Sequence, residues 1–230
     1  MNPSTVTESL LDEAELYPDS DGKPMSDNTV QHRWIDILFH NLNSLFAERT
    51  DVFVAADLMW YAVEGHPREC AAPDVMVVFG RPKGDRGSYK QWREDSTPVT
   101  VAFEVLSPAN SDDEMAKKAI FYEDHEVEEY YVIDPDDNRL DVFLRQGTVF
   151  RRQDASGGFV SPRLGIRFDV SGTEVVAYRP NGEPFRSYLT VEAALRRAEY
   201  AIALGRKVRR GQATADEVAE LERLEGQAGD

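Results

Sequence analysis

With 230 residues, 41% of them hydrophobic and 10% aromatic, the chain carries enough apolar material for a buried core, which excludes wholesale disorder. Its single cysteine, Cys70, excludes an intrachain disulfide and any multi-cysteine zinc site, and no stretch approaches the ~18 consecutive apolar residues that span a bilayer. The formal charge of −16 has the wrong sign for a protein that coats nucleic acid nonspecifically. Without a basic-then-apolar signal at its start, the chain is expected to be cytoplasmic, with no membrane association.

Residues 1–27 read as an acidic arm, irregular or briefly helical, because Pro18, Gly22 and Pro24 break it. From 28 to 47, Val30, Trp34, Ile37, Leu38, Leu42, Leu45 and Phe46 recur at three- and four-residue steps and predict an amphipathic helix. Runs rich in β-branched and aromatic residues at 52–60, 74–79 and 99–106 predict three antiparallel strands. Between the last two, loop 80–98 is locally basic, with Arg81, Lys83, Arg86, Lys90 and Arg93 against Asp85, Glu94 and Asp95. Ser111 followed by Glu114 is a capping-box pattern, and Asp112 and Asp113 add charge at the positive end of a helix running to about His125. A short strand at 129–134 ends at Pro135, followed by hairpin-like runs at 140–144, 148–152 and 174–178. Residues 191–230 read as a helical extension; its seven basic and seven acidic residues between 191 and 226 suggest a solvated docking helix rather than a nucleic-acid arm. The expected division is therefore a main domain over 1–190 and an extension over 191–230.

Helix, three strands, helix, strand is an order in which a mixed sheet can present carboxylates to a divalent metal. Asp74 opens one strand and Glu104 interrupts the apolar run Val-Ala-Phe-Glu-Val-Leu, where an unpaired acid is heavily penalised by desolvation. Strand alternation puts Ala102, Glu104 and Leu106 on one mixed face, which leaves burial open. Either acid alone is as readily a surface residue; a lysine beside them changes the reading. On the second helix, Lys118 lies nearer the apolar border than Lys117 and is the better inward-reaching ammonium, with snorkelling as the competing account. A hard cation such as Mg²⁺ takes one or two carboxylates plus waters, and an adjacent ammonium can offset developing phosphate charge. Asp57, also inside an apolar run, is a weaker third acid. No histidines stand at metal-ligand spacing, Ser107 lacks the glycines of a nucleophile elbow, and residues 80–84 do not form a P-loop. The basic loop offers Arg81, Lys83, Arg86 and Lys90 to a nucleic-acid backbone, with Tyr89 and Trp92 interleaved, or else is an ordinary charged excursion.

Taken together, Pro73-Asp74, Glu104-Val105-Leu106-Ser107-Pro108, Lys118 with Tyr122, and Val-Glu-Glu-Tyr-Tyr-Val-Ile-Asp-Pro from Val127 to Pro135 resemble the Uma-two family of bacterial endonucleases. That family is similar to the PD-(D/E)xK nucleases, and the resemblance extends over residues 23–188. It implies an α/β, restriction-endonuclease-like mixed sheet flanked by helices, with Asp74 as a metal-binding acid, Glu104 as the second acid and the Val105 carbonyl as a further ligand. The lysine that the superfamily places two residues after the second acid is Leu106 here, and Lys118 matches the lysine this branch carries on the following helix. Relatives have a histidine on the first helix; the register of Arg33-Trp34 puts Gln31 in that place and His32 on a solvent face. The implied activity is Mg²⁺- or Mn²⁺-dependent hydrolysis of DNA, and cutting both strands would call for two sites, hence a homodimer. The competing expectation, favoured by the charge of −16 and by Gln31, is a catalytically silent module of the same fold that binds protein or nucleic acid.

Overall fold

The computed structural model describes residues 13–22 and 24–226; the first twelve residues of the acidic arm, Lys23 and residues 227–230 of the extension lie outside the described residues. Two compact units are present, Met1–Phe185 and Arg186–Asp230.

In the first unit, a four-residue helix α1 (Glu13–Leu16) leads into an irregular strap and then α2 (Thr29–Leu45). Asn28 starts α2 by accepting the Val30 and Gln31 N–H groups, each at 2.9 Å, and so satisfies two donors that have no partner within the helix. The expected strand at 52–60 is divided into β1 (Val52–Ala56) and β2 (Trp60–Tyr61). Between them Asp57 adopts a left-handed φ of 48°, which interrupts the pleat. There follow β3 (Cys70–Ala71), β4 (Val75–Phe79), β5 (Tyr89–Lys90), β6 (Val101–Val105), α3 (Asp112–Asp124) and β7 (Glu129–Asp134). Ser111 caps α3 by accepting the Glu114 N–H at 3.2 Å, and three acids occupy its first turn. A hairpin of β8 (Arg139–Gln146) and β9 (Val149–Gln153) completes a six-stranded sheet in the order β1-β4-β6-β7-β8-β9.

Within that sheet β1, β4 and β6 run antiparallel, while β6 and β7 are parallel because α3 carries the chain across. This is the expected helix, three antiparallel strands, helix, strand, and it makes a mixed α/β fold. Trp34, Leu38 and Leu42 of α2 pack over Val54, Val77, Val101 and Phe103 on one face. Tyr122 of α3 packs with Met76, Ala102, Tyr130 and Val132 on the other. Every residue of β6 is buried, so Glu104 lies inside the molecule. Two small sheets flank the main one: β3-β2-β5, and another of β10 (Phe159–Val160), β11 (Arg167–Asp169) and β12 (Val176–Tyr178). The run at 174–178 thus joins this second small sheet rather than the hairpin.

The second unit holds α4 (Tyr188–Arg209) and α5 (Ala215–Gly226). Ser187 accepts the Thr190 N–H at 3.3 Å, which starts α4 three residues before the expected 191. No helix among the described residues is long and apolar enough to cross a membrane.

Candidate active site

The first unit gathers Asp74, Glu104 and Lys118 at one point. Asp74 stands just before β4, and its Oδ2 accepts the Val105 N–H at 2.6 Å. Because β4 pairs with β6, this bond ties the start of one strand to the end of the other. Glu104, 2% exposed, points toward α3. There Lys118 Nζ donates to Oε2 at 2.6 Å and the Tyr122 hydroxyl donates to Oε1 at 2.5 Å, so both carboxylate oxygens are engaged. Lys118 also reaches the Ala72 carbonyl at 3.3 Å, bridging the entry of β4 to β6. Its inward course follows from the helical register, in which Lys118 and Tyr122 are four residues apart on one face.

Electrostatics set the charge states. Burial, and then the neighbouring Glu104 charge, push the Asp74 carboxyl up to about 8, against the lowering effects of Lys118 and the Val105 N–H. Burial also raises Glu104, opposed by Lys118 and Tyr122. For Lys118, burial alone would lower the pKa, but Glu104 and Asp74 outweigh it and keep the ammonium raised and charged. Tyr122, buried beside Glu104, is held well above the usual phenol range and is a permanent donor.

A cleft of about 510 Å³ opens beside this cluster, lined by Asp57, Asp74, Lys117 and Lys118 together with Asp21, Pro24, Met25, Ser26 and Asp27 of the strap. Asp57 reaches the site through its N–H, which donates to the Asp74 carbonyl at 3.2 Å. Burial and then Asp21 raise its carboxyl, while Lys118 lowers it. Gln31 is buried on α2 and donates from Nε2 to the Val105 carbonyl at 2.9 Å, while its Oε1 accepts the Asp27 N–H at 2.8 Å. Asp27 in turn accepts the Ser107 hydroxyl at 2.7 Å, so the strap is fastened to the chain just beyond β6. His32 faces solvent, 3.5 Å from Asp36.

The loop cations are placed differently. Arg81 and Arg86 converge on Glu94 at 2.9 and 2.7 Å, and Arg81 also pairs with Asp95. The Arg86 guanidinium lies 4.0 Å from the centre of the Phe53 ring. Lys83 donates to the Phe46 and Ala47 carbonyls at 2.7 and 3.3 Å, at the C-terminal end of α2 where the helix dipole favours a cation. Lys90 sits 5.5 Å over the Tyr17 ring. Tyr89 is fully buried and Trp92 packs 5.1 Å from Tyr17. The loop's charges and rings are therefore committed within the fold.

Three features escaped the residue-by-residue reading: the bond from Tyr122 to Glu104, the hold of Gln31 on the Val105 carbonyl, and the Asp27–Ser107 link. The four-residue interval from Lys118 to Tyr122 was the available signal for the first. For the other two the sequence carries none, since the partners are 74 and 80 residues apart.

Two carboxylates and a main-chain carbonyl form an all-oxygen donor set. Among the described residues no group of three or more His, Cys, Asp or Glu side chains is disposed to hold a metal. The set nonetheless fits Mg²⁺, which keeps several waters and needs only one or two carboxylates. Asp74 supports the fit, because it is buried beside a second acid and, among the described residues, its carboxyl group is bonded by a backbone N–H and by no side chain.

No curated protein matches the chain. A solved structure described as a putative nuclease belonging to DUF820, from Anabaena variabilis ATCC 29413, aligns with a TM-score of 0.48 and 16% identity, covering 62% of this chain and 77% of that one. The family model Uma2, described as putative restriction endonuclease, matches residues 13–172, which include the strap, the main sheet and all three residues of the buried cluster. Over that span, more than two thirds of its length, the chain belongs to the Uma2 putative restriction endonuclease family.

Proposed function

We propose that the chain is a cytoplasmic, Mg²⁺- or Mn²⁺-dependent DNA endonuclease with Asp74, Glu104 and Lys118 as its catalytic residues. The observation that carries this reading is the buried pair of acids beside a charged lysine, in which Asp74, without a side-chain partner among the described residues, lines a cleft together with Lys118. Asp74, Glu104 and the Val105 carbonyl would hold the metal, which when bound polarises a scissile phosphate and acidifies an attacking water. Lys118, already fixed on Glu104 and the Ala72 carbonyl, has one N–H left to orient the nucleophile or to offset charge on the phosphate in the transition state. Tyr122 holds the plane of the Glu104 carboxylate, and Gln31 holds the Val105 carbonyl. Cutting both strands of a duplex would engage two copies of the chain.

The experiment is incubation of supercoiled plasmid with the purified chain and Mg²⁺ or Mn²⁺. Nicking or linearisation is expected, abolished by EDTA and by Asp74→Asn. Lys118→Ala should reduce the rate about 100-fold or more, the usual cost of removing a transition-state donor. Undiminished cleavage by Asp74→Asn would remove Asp74 from the site. Absence of cleavage by the wild type on supercoiled, linear and single-stranded DNA would favour the silent binding module.

A further inference from the structure

The equal numbers of basic and acidic residues between 191 and 226 conceal a division by helix. Residues 188–210, α4 and its C-terminal cap, carry six basic residues against two acidic; α5 carries Arg223 alone against five acidic residues. In a chain of charge −16, α4 is a distinct basic element.

Its cations are not equally engaged. Arg196 pairs with Glu192 at 2.6 Å, and Lys207 pairs with Glu217 of α5 at 2.5 Å. Arg206, Arg209 and Arg210 are exposed and, among the described residues, have no side-chain partner. At 3.6 residues per turn these three arginines occupy about 100° of the helix surface within ~6 Å of its axis length. A helix dipole places only about half a unit of negative charge at this end, which three arginines exceed. Arginine is also the side chain whose planar fork matches phosphate oxygens.

From this placement we infer that the last turn of α4, through Arg206, Arg209 and Arg210, is a contact surface for the phosphate backbone of nucleic acid. The inference rests on the endonuclease reading, which requires a phosphate-binding surface. It is independently favoured by the commitment of Arg81, Lys83 and Arg86 to partners within the fold. Two of the acids of α5 are engaged elsewhere, Glu217 by Lys207 at 2.5 Å and Glu220 by Arg223 at 2.7 Å.

The test uses the full chain carrying Glu104→Gln, with Ca²⁺ in place of Mg²⁺, titrated against a labelled DNA duplex over a series of salt concentrations. Replacing Arg206, Arg209 and Arg210 together by alanine, a strong helix former, should weaken binding at least tenfold near 0.1 M salt. The slope of log affinity against log salt should fall by about 2.7, since each lost phosphate contact removes ~0.9. The triple lysine variant should keep most of that slope, because charge rather than packing carries the effect. Parent-like affinity and slope in the alanine variant would overturn the inference while leaving the endonuclease reading intact. Loss in the lysine variant as large as in the alanine variant would also overturn it. So would parent-like DNA binding by the alanine variant combined with loss of polyglutamate binding, which would assign the surface to an acidic protein. A parent chain that binds no DNA would overturn both readings together.

Discussion

At the scale of single residues, Asp74 is the most informative group, because in the metal-free chain its carboxyl is raised to about 8, by burial first and by Glu104 second. Folding therefore takes up a proton at this site. The stabilisation from that uptake is complete below the ordinary carboxylate value of 3.8 and is lost progressively as pH rises toward 8. Without divalent metal the wild type should lose up to about 1.4 kcal/mol per pH unit from this group across that window. Asp74→Asn keeps the shape and the bond from Val105 but cannot titrate, so its stability should fall less steeply. Urea denaturation in EDTA at several pH values between 5 and 8 checks this, and equal slopes for the two proteins would contradict it. Asp74 and Glu104 were legible in the sequence because an acid in an apolar strand needs a reason, and Lys118 because helical periodicity gave its direction. The partners that orient them were not, since strand pairing, which the sequence does not state, brings Val105 to Asp74.

At the scale of elements, α2, α3 and the paired strands of the main sheet were readable because periodicity and caps are local properties. The division of 52–60 was not, because the left-handed Asp57 is imposed by the tertiary turn into the small sheet rather than by a glycine or proline. Loop 80–98 shows a different limit: its composition suggests a polyanion surface, while the structure spends Arg81 and Arg86 on Glu94. Glu94 is held below the usual carboxylate range chiefly by its hydrogen bond from Arg86. Arg86→Ala should accordingly cost about 2 kcal/mol, the scale of a hydrogen bond to a charged group, together with the contact on Phe53. Its DNA affinity should keep the parent's salt dependence. Chemical denaturation and a salt-series binding titration check the two halves of that statement. A normal denaturation midpoint with a salt slope smaller by about one would instead make Arg86 a phosphate contact.

At the scale of the whole molecule, the charge of −16 is distributed rather than uniform, with net −6 in residues 1–30 and net −9 in 112–141. Unit charges farther apart than about 10 Å are largely screened at 0.1 M salt, so total charge does not decide whether a local site meets DNA. It does bear on cations, because strap and cleft acids lie around a buried pair that already disfavours its own ionisation. A divalent ion at Asp74 and Glu104 would expel the proton that Asp74 holds at neutral pH, and it would stabilise the folded chain by mass action. Calorimetric titration of the metal-free chain with Mn²⁺ at pH 7, in two buffers of different ionisation enthalpy, reads affinity and proton release together. If Asp74 and Glu104 hold the metal, binding is saturable with net release of a proton, and both are lost in Asp74→Asn. Failure of the wild type to bind Mn²⁺, or equal binding and proton release in Asp74→Asn, would contradict that assignment.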